Sequence, residues 1–144
     1  MAMTRTAQCA CGAVSAITEG DPDLVVLCHC TACQRRTGSP FGVGAYFTRD
    51  AVQLRGATKT FVRKVEESER TIVSHFCPEC GGTVYWTLDL RPQHIGIAVG
   101  TFADAGFKPP TRSVWTQHKH EWILLPSDIP VFEQAAPMKS VSSV

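Results

Sequence analysis

The sequence has no run of about 18 or more consecutive apolar residues, which excludes a transmembrane helix. Its first residues, Met1 to Gln8, lack the apolar core of a secretory leader, so the expected compartment is the cytoplasm, where thiols stay reduced. A marked surplus of either sign of charge is also missing. Lys plus Arg total 14 against 13 for Asp plus Glu, and residues 134–144 contain a single lysine. A chain that coats nucleic acid or an anionic membrane carries a basic tail or stripe, so neither partner is expected. Internal repeats are absent and helical periodicity is scarce. With 144 residues, 44% hydrophobic and 19% charged, the composition fits one ordinary globular domain with a real core.

Against these absences stand seven cysteines. An odd number in a reducing compartment argues against a disulfide framework and for thiolate ligation of metal. The spacing does not match the clustered runs of ferredoxins, which leaves zinc as the leading ion. Two separated pairs, Cys9-Ala10-Cys11 and Cys77-Pro78-Glu79-Cys80, each followed by glycine, together supply one closed four-sulfur site. The alternative is that each pair packs as small buried apolar residues. The other three thiols fall within six residues, in Cys28-His29-Cys30-Thr31-Ala32-Cys33.

Three sulfurs leave a tetrahedral ion one ligand short, and several outcomes are open. A nearby histidine, His29 or His75, closes a second structural site; or the thiols form a buried cluster without metal; or the fourth position accepts an exogenous ligand. In the last case a substrate thiol is a good guest, because zinc favours sulfur and holds it as thiolate at neutral pH. Such a thiolate attacks a carbonyl carbon. Arg35 and Arg36 follow the triplet at once and are candidates to balance its charge or receive a ligand carboxylate. Arg63 and Arg70 are candidates by charge. His94, His118 and His120 match no ligand spacing and are assigned to structure or surface, with His118 and His120 sharing one face if that stretch is a strand.

Short alternating segments broken by turn signals point to a mainly-β single domain. Strands are expected over 12–18, 24–27, 41–48, 51–54, 83–88 and 94–99, and a hairpin over 59–66 and 70–76 with Glu67-Ser68-Glu69 at its turn. The segment 31–37 is expected to be a short helix, capped by Thr31 and stopped by Gly38. Cys77 to Cys80 then sit at the tip of a knuckle hairpin. Residues 126–133 are expected to be extended, and residues 134–144 a flexible tail after a domain of 1–133.

Three stretches carry a resemblance: Cys9 to Val14, Cys28 to Phe41, and Phe76 to Val84. In order and spacing they resemble the glutathione-dependent formaldehyde-activating enzymes, a family that includes the centromere-protein-V-like domains, and the likeness runs from about Thr4 to Phe132. One departure is Gln8, where the family usually has glycine. The resemblance implies a tent of small antiparallel sheets with two zinc ions. Cys9, Cys11, Cys77 and Cys80 would hold a structural zinc, and Cys28, Cys30 and Cys33 a catalytic one. It implies a carbon–sulfur lyase that joins glutathione and formaldehyde into S-(hydroxymethyl)glutathione, and the reverse. Alternatives are the same chemistry on another thiol adduct and a zinc module that binds without catalysis.

Overall fold

A computed structural model describes residues 3–65 and 70–137 of the chain. Among them are ten strands and one α-helix. Strands β1 (Thr4–Gln8), β2 (Ser15–Glu19) and β5 (Val52–Arg55) form an antiparallel sheet in the order β1-β2-β5. The other seven are β3 (Leu24–Cys28), β4 (Gly42–Thr48), β6 (Lys59–Lys64), β7 (Thr71–Phe76), β8 (Thr83–Leu88), β9 (His94–Ala98) and β10 (Arg112–Val114). They build a second sheet in the order β10-β3-β4-β9-β8-β7-β6. Its pairs are antiparallel apart from β10 with β3, which is parallel. The mainly-β expectation holds, with one sheet larger and more mixed than foreseen. No helix among the described residues is long and apolar enough to cross a membrane.

The period-two alternation of side chains gives the large sheet two different faces. One face carries Val25, Ala45, Phe47, Ile95, Ile97 and Tyr85, which pack with Ala7, Val14 and Ala16 from the small sheet and its connection. Burying a side chain such as Phe47 or Ile97 contributes roughly 1.5–3 kcal/mol, so this layer is where the fold is stabilised.

The opposite face is not filled. Register aligns Val114, Cys28 and Gly42 across β10, β3 and β4, and one step along, Arg112, Val26 and Gly44. Further along, Leu24 faces Tyr46, Tyr46 faces Gly96, and Gly96 faces Trp86. Beyond them Ser74 pairs with Trp86, and Ile72 lies between Leu88 and Arg63. All but Gly96 line a single cavity of about 370 Å³.

Two glycines shape that face. The indole of Trp86 lies so close over Gly96 that a Cβ there would collide with Nε1, and a Cβ on Gly44 would come within 2.7 Å of Cζ2. Glycine inside a strand often marks such a close approach. Here it lets one large ring lie flat across two neighbouring strands.

Helix α1 (Thr31–Thr37) buries none of its residues, so its short length is fixed by its ends rather than by a packed face. The cap is Cys30 rather than Thr31: its sulfur accepts the backbone N–H of Cys33 at 3.3 Å. At the other end Gly38 returns its N–H to the carbonyl of Gln34. The hairpin of residues 59–76 forms as β6 and β7, while its expected turn, Glu67-Ser68-Glu69, lies outside the described residues. Strand β1 was not foreseen.

Residues 126–133 form no strand. They touch β10 through a single bridge, Ser113 with Val131, held by Ser113 N–H to Pro130 O and Phe132 N–H to Ser113 O. Of residues 134–144, the described ones are 134–137; Gln134 and Pro137 are exposed and Ala135 is half-buried. The Trp115 N–H donates to Gln134 O, and Ala136 is buried.

Candidate functional site

The four separated thiols meet. Cys9 and Cys11 lie between β1 and β2, and Cys77 and Cys80 between β7 and β8, yet all four sulfurs fall within 4.8 Å of one another. Both turns are built alike, with the glycine behind the second cysteine in the left-handed region, Gly12 at φ 81° and Gly81 at φ 78°, where glycine pays no steric cost. The Sγ separations, 3.7 Å for Cys9–Cys11 and 3.6 Å for Cys11–Cys77, are close to the ~3.8 Å edge of a tetrahedron with metal–sulfur bonds of about 2.3 Å. Backbone N–H groups of Val14 and Glu79 point at the sulfurs of Cys9 and Cys77. Backbone contacts from Gly82 and Cys11 hold the Cys80 thiol down to about 6. Donors aimed at sulfur favour thiolate, which is the ligand form. The quartet can hold a metal ion.

The triplet also converges. Cys28 ends β3, Cys30 caps α1 and Cys33 lies in its first turn, with the three sulfurs within 4.8 Å of one another. Contacts with Cys28 and Cys33 hold the Cys30 thiol down to about 2, and contacts with Cys30 and Cys33 push Cys28 up. Three sulfurs this close cannot all ionise without a counter-charge, and a divalent cation would supply one.

Among the described residues no histidine or carboxylate joins the three sulfurs. His29 is fully buried, with Nε2 3.0 Å from Ser113 Oγ and its pKa lowered by burial, so it is a neutral part of the β3–β10 packing. His75 lies within hydrogen-bond distance of Thr58 and stacks on Tyr85 at 4.5 Å. Neither closes the site. The shared face that a strand would give His118 and His120 does not arise, because Thr116–His118 is a 3₁₀ turn. His118 lines the cavity, whereas His120 contacts Gln34 and Trp122. His94 pairs with Asp23 at the surface.

All three cysteines open onto the cavity on the unfilled face of the large sheet. Arg35, Arg36, Arg63 and Arg70 all line it, together with Lys64, Arg91 and Arg112, and no acidic residue does among those described. Half of the chain's 14 Lys and Arg residues therefore face one hollow in a nearly neutral protein. A concave site lined by one sign of charge focuses its field on a small ligand of opposite sign. Arg36 lies over the Trp86 ring, 4.7 Å from its centroid, and its Nη2 reaches the space above Gly42 that Cys33 Cβ also flanks. That stacking orients the guanidinium and leaves its edge able to form two parallel bonds to a carboxylate. The apolar part of the wall comes from Leu24, Val26, Ile72 and Leu88.

Sequence reasoning missed Tyr46, Trp86, Arg91, Arg112 and Trp115 as cavity residues. The small residues at 42, 44 and 96 were the available signal, because glycines within strands mark places where another group comes close.

Comparison with curated proteins returned no match. A crystal structure of a Rhodobacter sphaeroides protein is similar in fold, with a TM-score of 0.51 and 21% identity over 72% of this chain and 91% of that one. Residues 4–118, which hold both cysteine clusters and most of the cavity wall, match the glutathione-dependent formaldehyde-activating enzymes. The chain belongs to the glutathione-dependent formaldehyde-activating enzyme family.

Proposed function

We infer that the protein is a zinc-dependent carbon–sulfur lyase of the cytoplasm that joins glutathione and formaldehyde into S-(hydroxymethyl)glutathione and splits the adduct again. The observation that carries this is the triplet itself: three sulfurs, no fourth protein donor among the described residues, and an opening onto a cationic cavity. A closed four-thiolate site is structural, and a site with one ligand missing is the catalytic pattern. Cys9, Cys11, Cys77 and Cys80 would hold the structural ion, and Cys28, Cys30 and Cys33 the functional one. Thiolate-only donor sets suit zinc.

When bound at the triplet, zinc supplies a position that keeps a substrate sulfur deprotonated at neutral pH. The chain supplies the rest. Arg35 and Arg36 receive carboxylate of the anionic thiol and fix its sulfur near the triplet, and the remaining bases draw the tripeptide in. Orientation of this kind converts a bimolecular encounter into an effectively unimolecular step. The substrate thiolate then adds to the aldehyde carbon; a C–S bond forms and the carbonyl electrons move onto oxygen, which takes a proton. A second reading, the same chemistry on another anionic thiol adduct, is favoured by the apolar wall, since formaldehyde brings only one carbon to it.

The test is magnetisation exchange between free glutathione and its hydroxymethyl adduct, with and without the zinc-loaded protein. Exchange well above the uncatalysed rate is expected. If exchange is unchanged for glutathione and formaldehyde but accelerated for another thiol–aldehyde pair, the second reading replaces the first; no acceleration with any pair contradicts both.

A further inference from the structure

The aldehyde oxygen must gain a proton, and Tyr46 is placed to provide it. Its side chain is on the cavity face of β4, and its ring leans back along the strand, with Cε2 3.5 Å from where a Gly44 Cβ would be. Gly44 is two residues from Gly42, and Gly42 pairs with Cys28. The ring therefore leans toward the cysteine end of the cavity. Had residue 44 carried a side chain, both the Tyr46 ring and the Trp86 indole would be displaced.

Trp86 also fixes the direction of the hydroxyl. Its indole Nε1–H donates to the Tyr46 oxygen at 3.1 Å, with the two rings edge-on at 6.2 Å. An indole N–H is a donor and never an acceptor, so the Tyr46 oxygen must accept here and its own O–H is directed elsewhere. Trp86 thus holds Arg36 over its face and Tyr46 at its edge. Burial pushes the phenol up to about 12, so it keeps its proton throughout the neutral range.

We propose that Tyr46 is the catalytic proton donor to the aldehyde oxygen and that Trp86 is the residue that positions it. This rests on the lyase reading and deepens it. As the substrate thiolate forms its bond to carbon, the C=O π pair moves to oxygen, and that oxygen takes the Tyr46 proton. The phenolate left behind regains a proton from water, which has received the one released by the substrate thiol. In the reverse direction Tyr46 first gives its proton to water, and the phenolate then removes the hydroxyl proton as the C–S bond breaks. No oxidant or further reactant is needed.

The experiment compares zinc-loaded wild type with Tyr46→Phe in the exchange assay, alongside calorimetric titration with glutathione. Loss of a positioned proton donor lowers the rate by about 10²-fold, so kcat is expected to fall by that order. The KM and the calorimetric Kd for glutathione are expected to stay within about twofold, because the phenol contacts the aldehyde oxygen and not the tripeptide. Trp86→Phe keeps an aromatic face under Arg36 but removes the N–H. It should lower kcat by about tenfold at unchanged Kd, and it serves as the test if Tyr46→Phe does not fold. A Tyr46→Phe enzyme within threefold of wild-type kcat overturns the proposal and leaves the lyase reading standing. So does one that loses glutathione binding in step with rate, which marks a structural role. If wild type itself does not accelerate exchange, the lyase reading fails and this proposal falls with it.

Discussion

Replacing Cys77 with serine is expected to abolish the cooperative unfolding transition of the protein. Cys77 is fully buried and joins the β7–β8 connection to the segment between β1 and β2. Zinc binding contributes on the order of 10 kcal/mol or more in small thiolate modules, whereas the net stability of a whole domain is about 5–15 kcal/mol. One lost ligand weakens the ion and also leaves a serine hydroxyl in a place built for sulfur, at a further cost of roughly 1–3 kcal/mol. Urea titration followed by circular dichroism checks this, with metal content measured on the same sample. A two-state transition at the wild-type midpoint would show that the quartet packs as small apolar side chains and holds nothing.

Cys33→Ser is expected to give the opposite pattern: a folded protein without activity. Helix α1 buries none of its residues, and the sulfur of Cys33 lies on the cavity side of the sheet rather than in the core layer. Stability should fall by about 1–2 kcal/mol, the ordinary range for a partly buried position. Metal content should drop from two ions per chain to one. Turnover should fall further than the ~10–100-fold that loss of an outer-shell partner costs, because a ligand itself is removed. Together the two substitutions separate the clusters: one sets whether the chain folds, the other whether it turns over. Equal effects of both on stability and metal content would mean that the clusters are of one kind.

The cysteine framework was legible because its information is local. Cys28, Cys30 and Cys33 sit within one turn of chain, and Cys9-x-Cys11 and Cys77-x-x-Cys80 each bring their own glycine. Strand β8 and helix α1 were legible for a similar reason, having a run of β-branched and aromatic residues and clear end signals respectively. The cavity was not. Its bases are scattered from Arg35 to Arg112, and a net charge of +1 conceals them; only the strand order β10-β3-β4-β9-β8-β7-β6 brings them to one face.

The same order places Trp86 beside Gly96 and carries its ring to Gly44, a relation between β8, β9 and β4 that no local pattern encodes. On a strand His118 and His120 would share one face. The chain there turns instead, starting from Trp115 in the left-handed region at φ 58°. An aromatic residue is rarely held there, and the hydrogen bonds of Trp115 and Thr116 to Gln134 and Phe132 fix it.

An ion held by Cys28, Cys30 and Cys33 would keep one coordination position open to a substrate sulfur. Cobalt substituted for zinc makes that position visible, because sulfur-to-cobalt charge transfer grows with each thiolate bound. Titrating the dicobalt protein with glutathione should intensify and shift the band to saturation at millimolar thiol, and S-methylglutathione, which has no thiol, should leave it unchanged. A band that glutathione does not alter would mean that the fourth position is not open to a substrate sulfur, and the proposed chemistry would be wrong.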